Sequence, residues 1–167
     1  MISPTCEILP SALSWDLFGG DWAAYKEALY KVFKRDFIDN QPSFLGKPVD
    51  IIHEQFFEGK ERSFWHIITA GDRDIDREPD EERCARISWV KPLLEDGGNC
   101  PDYAMWIKWH DKTKRERYYI WCRKDNYIVI LEDRKTHFKL ITAYYVQYAV
   151  KQYEKDYNQY LKTKTPT

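Results

Sequence analysis

The stretch Tyr127-Ile128-Val129-Ile130-Leu131-Glu132 decides the fold. Successive residues of a strand point to opposite faces, so an apolar side chain at every position from Ile128 to Leu131 requires cover on both sides. Such a segment belongs at the centre of a sheet. Working outward, Tyr103 to Trp109, Arg117 to Arg123 and Phe138 to Val146 are further runs of β-branched and aromatic residues. Asp111 to Arg115, Lys124-Asp125-Asn126 and Asp133 to Thr136 separate them at hairpin lengths, which predicts a four-stranded antiparallel meander.

The flanking segments read as helices and short extended pieces. Trp22, Tyr25, Leu29, Val32 and Phe33 recur at helical spacing, predicting an amphipathic helix over 21–37, with Ser14 starting a polar cap ahead of it. Pro42, Gly46 and Pro48 then break the chain. Val49 to Phe57 and Ser63 to Thr69 read as two extended segments joined at Glu58-Gly59-Lys60, and 72–82 as a charged exposed loop. From Pro79, with Asp80, Glu81 and Glu82 at the positive helix end, a short helix lines its buried side with Cys84, Ile87, Trp89 or Val90 and Leu94 and stops at Asp96-Gly97-Gly98. A C-terminal helix is predicted over about 146–161, followed by a frayed tail at 162–167. The expected fold class is α+β: an N-terminal, a short middle and a C-terminal helix packed on a curved antiparallel sheet of about four strands. The 167 residues form a single domain with an N-terminal helical segment at 1–40.

An apolar fraction of 43% with seven tryptophans supplies a substantial core and argues against disorder away from the ends. The net charge of −1 conceals an uneven distribution. Residues 1–103 hold 12 Lys/Arg against 20 Asp/Glu, whereas residues 104–151 hold 11 against 5. The second half can therefore face phosphates, or can be a solvated charged face. Cys6, Cys84, Cys100 and Cys122 show no metal-type spacing and no signal segment opens the chain, so a reduced, cytoplasmic protein without metal or cofactor is expected. No apolar run approaches the roughly 20 residues of a membrane span.

Three groupings could carry chemistry. Strand alternation would put Phe64, His66 and Ile68 on one face, where His66 would act as a general acid or base or be a core histidine with satisfied hydrogen bonds. Arg83 and Arg86, three apart on a helix, could clamp a phosphate or pair with Asp80 or Glu82 at the surface. Thr142 and Tyr144 share a strand face and could orient a phosphodiester, although strand aromatics also serve as core. Arg117, Tyr119 and Arg123, with Trp106 and Lys108 further out, interleave basic and aromatic groups as single-stranded RNA requires.

Over about residues 45–155 these segments resemble a prophage-associated branch of the RNase toxin superfamily that includes barnase, EndoU, colicin nucleases and RelE. The resemblance rests on Gly59-Lys60 leading into Phe64-Trp65-His66-Ile67, on Arg83-Cys84-x-Arg86-Ile87-x-Trp89-Val90-Lys91-Pro92, on Tyr127 to Leu131 and on Leu140-Ile141-Thr142-Ala143-Tyr144. It implies a metal-independent endoribonuclease in which the substrate's 2′-hydroxyl attacks the adjacent phosphate, leaving a 2′,3′-cyclic phosphate. His66 would then be acid or base, Arg83 and Arg86 would hold the phosphate, and Thr142 with Tyr144 would orient it. His53 would be a second acid–base group, with Lys60, Arg117 and Lys139 as phosphate contacts. The implied partners are RNA (mRNA or tRNA) and an antitoxin or immunity protein. The competing readings are a non-catalytic RNA-binding or protein-binding module of the same fold, and an antitoxin or immunity protein.

Overall fold

A computed structural model describes residues 4–164. Ser14 caps only a short 3-10 turn, Trp15–Phe18, by accepting from the Asp16 amide at 3.2 Å. Gly19 and Gly20, at φ of 56° and 86°, then reverse the chain in a conformation that side chains disfavour. The N-cap of α1 (Trp22–Phe33) is therefore Asp21, whose carboxylate accepts from the Ala24 amide at 3.0 Å. A π-helical turn, Lys34–Asp39, continues it.

β1 (Ser43–Phe44) and β2 (Lys47–Asp50) form a hairpin in which Leu45 and Gly46 both have positive φ, as a type I′ turn demands. Glu58-Gly59 repeats the device between β3 (Gln55–Phe57) and β4 (Lys60–Glu61). The segment from Ser63 to Thr69, expected to be extended, is helical as far as Ile68 and belongs to α2 (Arg62–Ile68). The reason lies in which side chains are buried: Ser63 with Ile67 and Phe64 with Ile68 are pairs four apart, a helical stripe rather than an alternation. The Ser63 hydroxyl also accepts from the Ile52 amide at 2.6 Å, pinning the helix start. Residues 51–54 lie outside any strand and likewise interrupt the single extended piece expected at 49–57.

β5 (Thr69–Ala70) pairs with β6 (Glu78–Pro79), so the charged 72–82 region is a tethered excursion rather than a free loop. Asp80, accepting from the Arg83 amide at 3.0 Å, caps α3 (Glu81–Ala85). Through the 3-10 turn Ile87–Trp89 the chain enters α4 (Val90–Asp96), and a second 3-10 turn, Gly97–Asn99, ends the helical region. Cys84, Ile87, Trp89, Val90 and Leu94 are all buried, as the spacing predicts. The meander follows as β7 (Tyr103–His110), β8 (Arg115–Cys122), β9 (Tyr127–Asp133) and β10 (Phe138–Tyr145), and α5 (Val150–Lys164) closes the described chain. The predicted tail at 162–167 is helical as far as Lys164, and its last three residues lie outside the described range.

The fold is α+β with a curled, mostly antiparallel sheet. Its strand order is β1-β2-β10-β9-β8-β7, six strands rather than about four, because β2 adds to β10 in parallel with Val49 opposite Phe138 and Asp50 opposite Lys139. On the inner face, Tyr127, Val129, Leu131, Phe138 and Leu140 pack with Leu29, Phe33, Phe64 and Trp89 from the helices before the meander. On the outer face, Ala104, Trp106, Trp121, Ile128 and Ile130 are covered by Tyr153, Tyr157 and Tyr160 of α5. Thus β9 has apolar contacts on both sides. The aromatics proposed as RNA stackers are spent here: Trp106 stacks on Tyr119 at 5.1 Å and both meet Tyr153, so they form a second core instead of an open platform.

Leu131 is fully buried at the middle of the sheet. Leu131→Ala is expected to lower the unfolding free energy by about 3 kcal/mol, measured by urea denaturation, since transfer and cavity costs add.

Candidate functional site

Beside the patch covered by α5, the register aligns one row of side chains across the outer face. Lys108 pairs with Arg117, Arg117 with Glu132, Glu132 with Lys139 and Lys139 with Asp50. Glu132 continues the outward-facing series Ile128, Ile130 and is fully buried. A carboxylate there must recover its lost hydration from neighbours. It accepts from the Thr113 hydroxyl at 2.8 Å, from Arg117 Nε at 3.1 Å and from Arg134 Nε at 2.8 Å. Burial pushes its pKa up, but these hydrogen bonds and the two guanidinium charges outweigh burial and hold it below the ordinary glutamate value. Thr113 Oγ1 lies 3.1 Å from His110 Nδ1, so a chain of contacts links imidazole, hydroxyl and carboxylate.

At the other end of the row, Asp50 closes β2 and accepts from the Ile51 amide at 2.9 Å. Its Oδ1 also lies 2.7 Å from His53 Nε2, and the His53 side chain is exposed. The Asp50 carboxyl is opposed by burial yet kept below its usual range by the His53 and Ile51 hydrogen bonds and by the charge of His53 and His137. An ionised Asp50 accepts a hydrogen bond from the Nε2–H of His53, and in the neutral ring that tautomer carries its lone pair on Nδ1, the arrangement of an oriented general base. His53 and His137 line one cleft of about 460 Å³ with Asp50, Thr136, Phe37 and Ile38. His137 Nδ1 contacts the Thr136 hydroxyl at 2.9 Å, which leaves Nε2 for a substrate. This end thus assembles two imidazoles, a carboxylate that orients one of them, and the Lys139 position between two acids.

The residues ranked first from the sequence are distributed differently. Thr142 and Tyr144 do share the outer face, opposite Ile130 and Ile128, despite a bulge at Ile141. Arg83 joins them: Nη1 lies 3.5 Å from Thr142 Oγ1 and the guanidinium 5.1 Å from the Tyr144 ring. Tyr144 and Tyr153 join hydroxyl to hydroxyl. Arg83 also reaches the His66 carbonyl at 3.3 Å, but the His66 side chain, half-buried on α2, lines a separate cleft with Trp65, Phe57, Arg77 and Ile75. Arg86 is buried and ion-paired with Glu82 at 2.6 Å, with Trp89 and Tyr145 against its plane, which is the pairing weighed as the alternative for that residue. Lys60 is buried, paired with Glu27 at 3.0 Å and laid over the Tyr30 ring. Of the second-ranked set, His53, Arg117 and Lys139 converge on the row.

Glu132, Asp50, Arg134 and His137 were missed. A signal existed for Glu132: it is the charged member of the alternating set Ile128-x-Ile130-x-Glu132, with Arg134 two residues on and able to neutralise it. Asp50 with His53, by contrast, depends on a turn after β2 that no local pattern announces. Comparison of the chain with protein-family models, with curated proteins and with solved structures finds no match. Among the described residues no helix is long and apolar enough to cross a membrane.

Because the folded Glu132 carboxyl keeps its charge to lower pH than an unfolded one, the unfolded chain takes up the proton first as acid is added. Its stabilisation is complete above the unfolded value of about 4.3 and is lost as pH falls through the folded value. Glu132→Gln is expected to cost about 2–3 kcal/mol at pH 7, less than a fully enclosed ion pair because both arginines keep some exposure, and to flatten the fall of stability between about pH 5 and 2. Chemical denaturation across that range measures both.

Proposed function

We propose that the chain is a metal-independent endoribonuclease whose reacting centre is the cleft of Asp50, His53 and His137, with Lys139 next to Asp50 in the strand register, and that it serves as a toxin cleaving cellular RNA. The observation that carries this reading is the 2.7 Å contact of His53 with Asp50, in a cleft shared with a second imidazole. The nucleophile belongs to the RNA, so the protein has to supply a base, an acid and positive charge. His53 Nδ1 would take the proton of the 2′-hydroxyl as that oxygen attacks phosphorus. His137 Nε2 would protonate the departing 5′-oxygen, leaving a 2′,3′-cyclic phosphate and a free 5′-hydroxyl. Lys139 would neutralise the equatorial oxygens. Further along β10, Arg83 would hold the next phosphate, and Thr142 with the Tyr144 ring would contact the adjoining nucleotide.

A second reading is a non-catalytic RNA-binding module. It is favoured by the commitment of Arg117 and Arg134 to Glu132, which aligns cations for a phosphate backbone without adding an acid or base.

Purified chain incubated with single-stranded RNA is expected to yield 2′,3′-cyclic phosphate ends, and His53→Ala and His137→Ala each to slow the reaction by at least about 100-fold. Cleavage unaffected in both variants would sink the assignment. Salt-sensitive retention of RNA without cyclic phosphate would instead establish the binding module. In bacteria, expression of the chain without a neutralising protein partner is expected to arrest growth, and His53→Ala to relieve the arrest.

A further inference from the structure

Three of the four cysteines, far apart in sequence, converge. Cys6 comes from the irregular N-terminal segment, Cys100 from the loop before β7 and Cys122 from the end of β8. All three are buried, and their sulfurs lie within 4.8 Å of one another, with Cys100 and Cys122 at 3.1 Å. A cysteine used only as a small apolar residue faces carbon. Here sulfur faces sulfur. A carboxylate adjoins them: Asp125, in the turn between β8 and β9, holds Oδ2 3.7 Å from Cys122 Sγ and 2.9 Å from the Cys6 amide, while Oδ1 accepts from the Thr5 amide at 2.6 Å. Asp125 thus holds two amides and one thiol, which places a carboxylate beside the Cys122 corner of the sulfur cluster.

We propose that Cys6, Cys100, Cys122 and Asp125 form a tetrahedral zinc site that clips the N-terminal segment to the sheet. Zinc takes cysteine sulfur at about 2.3 Å and carboxylate oxygen at about 2.0–2.2 Å, which sets neighbouring sulfurs about 3.8 Å apart in a tetrahedron. With every sulfur within 4.8 Å of the others and Cys100 and Cys122 at 3.1 Å, closing the cluster around a metal requires that pair to part by less than about 1 Å, within the reach of side-chain rotation. Four protein ligands fill the coordination shell, so the site is structural and takes no part in RNA cleavage. Each thiol loses its proton on binding, and up to three protons are released per zinc. The mechanical consequence follows from position. Residues 4–14 form no strand or helix; core packing of Cys6, Leu9 and Ala12 anchors them together with the Asp125 contacts to Thr5 and Cys6, the Leu13 amide to Ala85 carbonyl bond, the Tyr25 hydroxyl to Leu13 carbonyl bond and the Trp89 Nε1 bond to the Pro10 carbonyl. A metal shared by Cys6 and two meander residues would join that segment to the sheet directly, coupling metal affinity to folding.

The whole chain, prepared with reductant and stripped of metal, is titrated with cobalt(II). The expected result is a visible d–d spectrum with near-ultraviolet thiolate-to-cobalt charge transfer, saturating at one cobalt per chain and bleached by zinc. Cys122→Ser and Cys6→Ser are expected to weaken binding by at least about tenfold, whereas Cys84→Ser, whose sulfur donates to the Ile68 carbonyl away from the cluster, is expected to bind as the wild type does. Because a variant may misfold, the wild-type melting temperature with and without zinc is measured in parallel and is expected to rise with the metal. Absence of a saturable thiolate spectrum in the wild type overturns the proposal. So does its persistence in both Cys6→Ser and Cys122→Ser, or a count of two rather than four reactive thiols in the denatured, unreduced chain, which would mean a Cys100–Cys122 disulfide.

Discussion

The structure depends on the demand of β9 to be dry on both faces. Its inner side chains, Tyr127, Val129 and Leu131, meet the thick layer built by α1 through α4, and its outer ones, Ile128 and Ile130, meet the tyrosines of a single helix. One helix cannot cover the outer face of a six-stranded sheet. The uncovered remainder begins where the apolar alternation of β9 reaches Glu132, so the change from core to polar surface occurs within one strand.

Glu132 sets the electrostatics of that remainder. With no exposure of its own, the carboxylate is tolerated only because a hydroxyl and two guanidinium groups supply the contacts that water would otherwise make. In return it fixes where Arg117 and Arg134 point. Parallel addition of β2 then brings Asp50 beside Lys139 and places His53 at the end of the same row. A sheet without that extra strand would have the cations but would lack the His53–Asp50 contact. The meander alone aligns the row from Lys108 to Lys139, whereas the cleft is the product of one topological event, the return of an early hairpin to the last strand of the meander.

How much of this was legible follows from the range of each interaction. The four meander strands and their turns depend on neighbours a few residues away, and their observed limits fall within two residues of those predicted. The helix at 22–33 was equally plain, though its cap was misassigned because Ser14 and Asp21 are both good caps and only the glycine pair between them separates the two turns. Residues 62–68 were misread for a physical reason. Phe64, Trp65, Ile67 and Ile68 are apolar in both the alternating and the helical pattern, and seven residues are too few to tell one period from the other before the packing partner is known. Thr142 and Tyr144 share a strand face, as simple alternation predicts, and the tertiary structure adds Arg83 beside them. His66 and Arg86 drew attention for their chemistry, yet their surroundings are set by contacts distant in sequence: a separate aromatic cleft for one, the Glu82 carboxylate for the other.

By itself the sequence determined that a central strand would be enclosed, that hairpins would carry the chain back and forth beside it, and that basic charge would concentrate in the second half. Those are matters of side-chain period and turn chemistry, both local. Tertiary structure alone decided which acids those cations face, which histidine meets a carboxylate and which cysteines touch. These depend on a parallel strand pairing between residues 49–50 and 138–139 and on an N-terminal segment laid against a distant turn. Contacts across such separations are bought with the loop-closure entropy of the whole intervening chain, and no short window of residues records whether that cost was met.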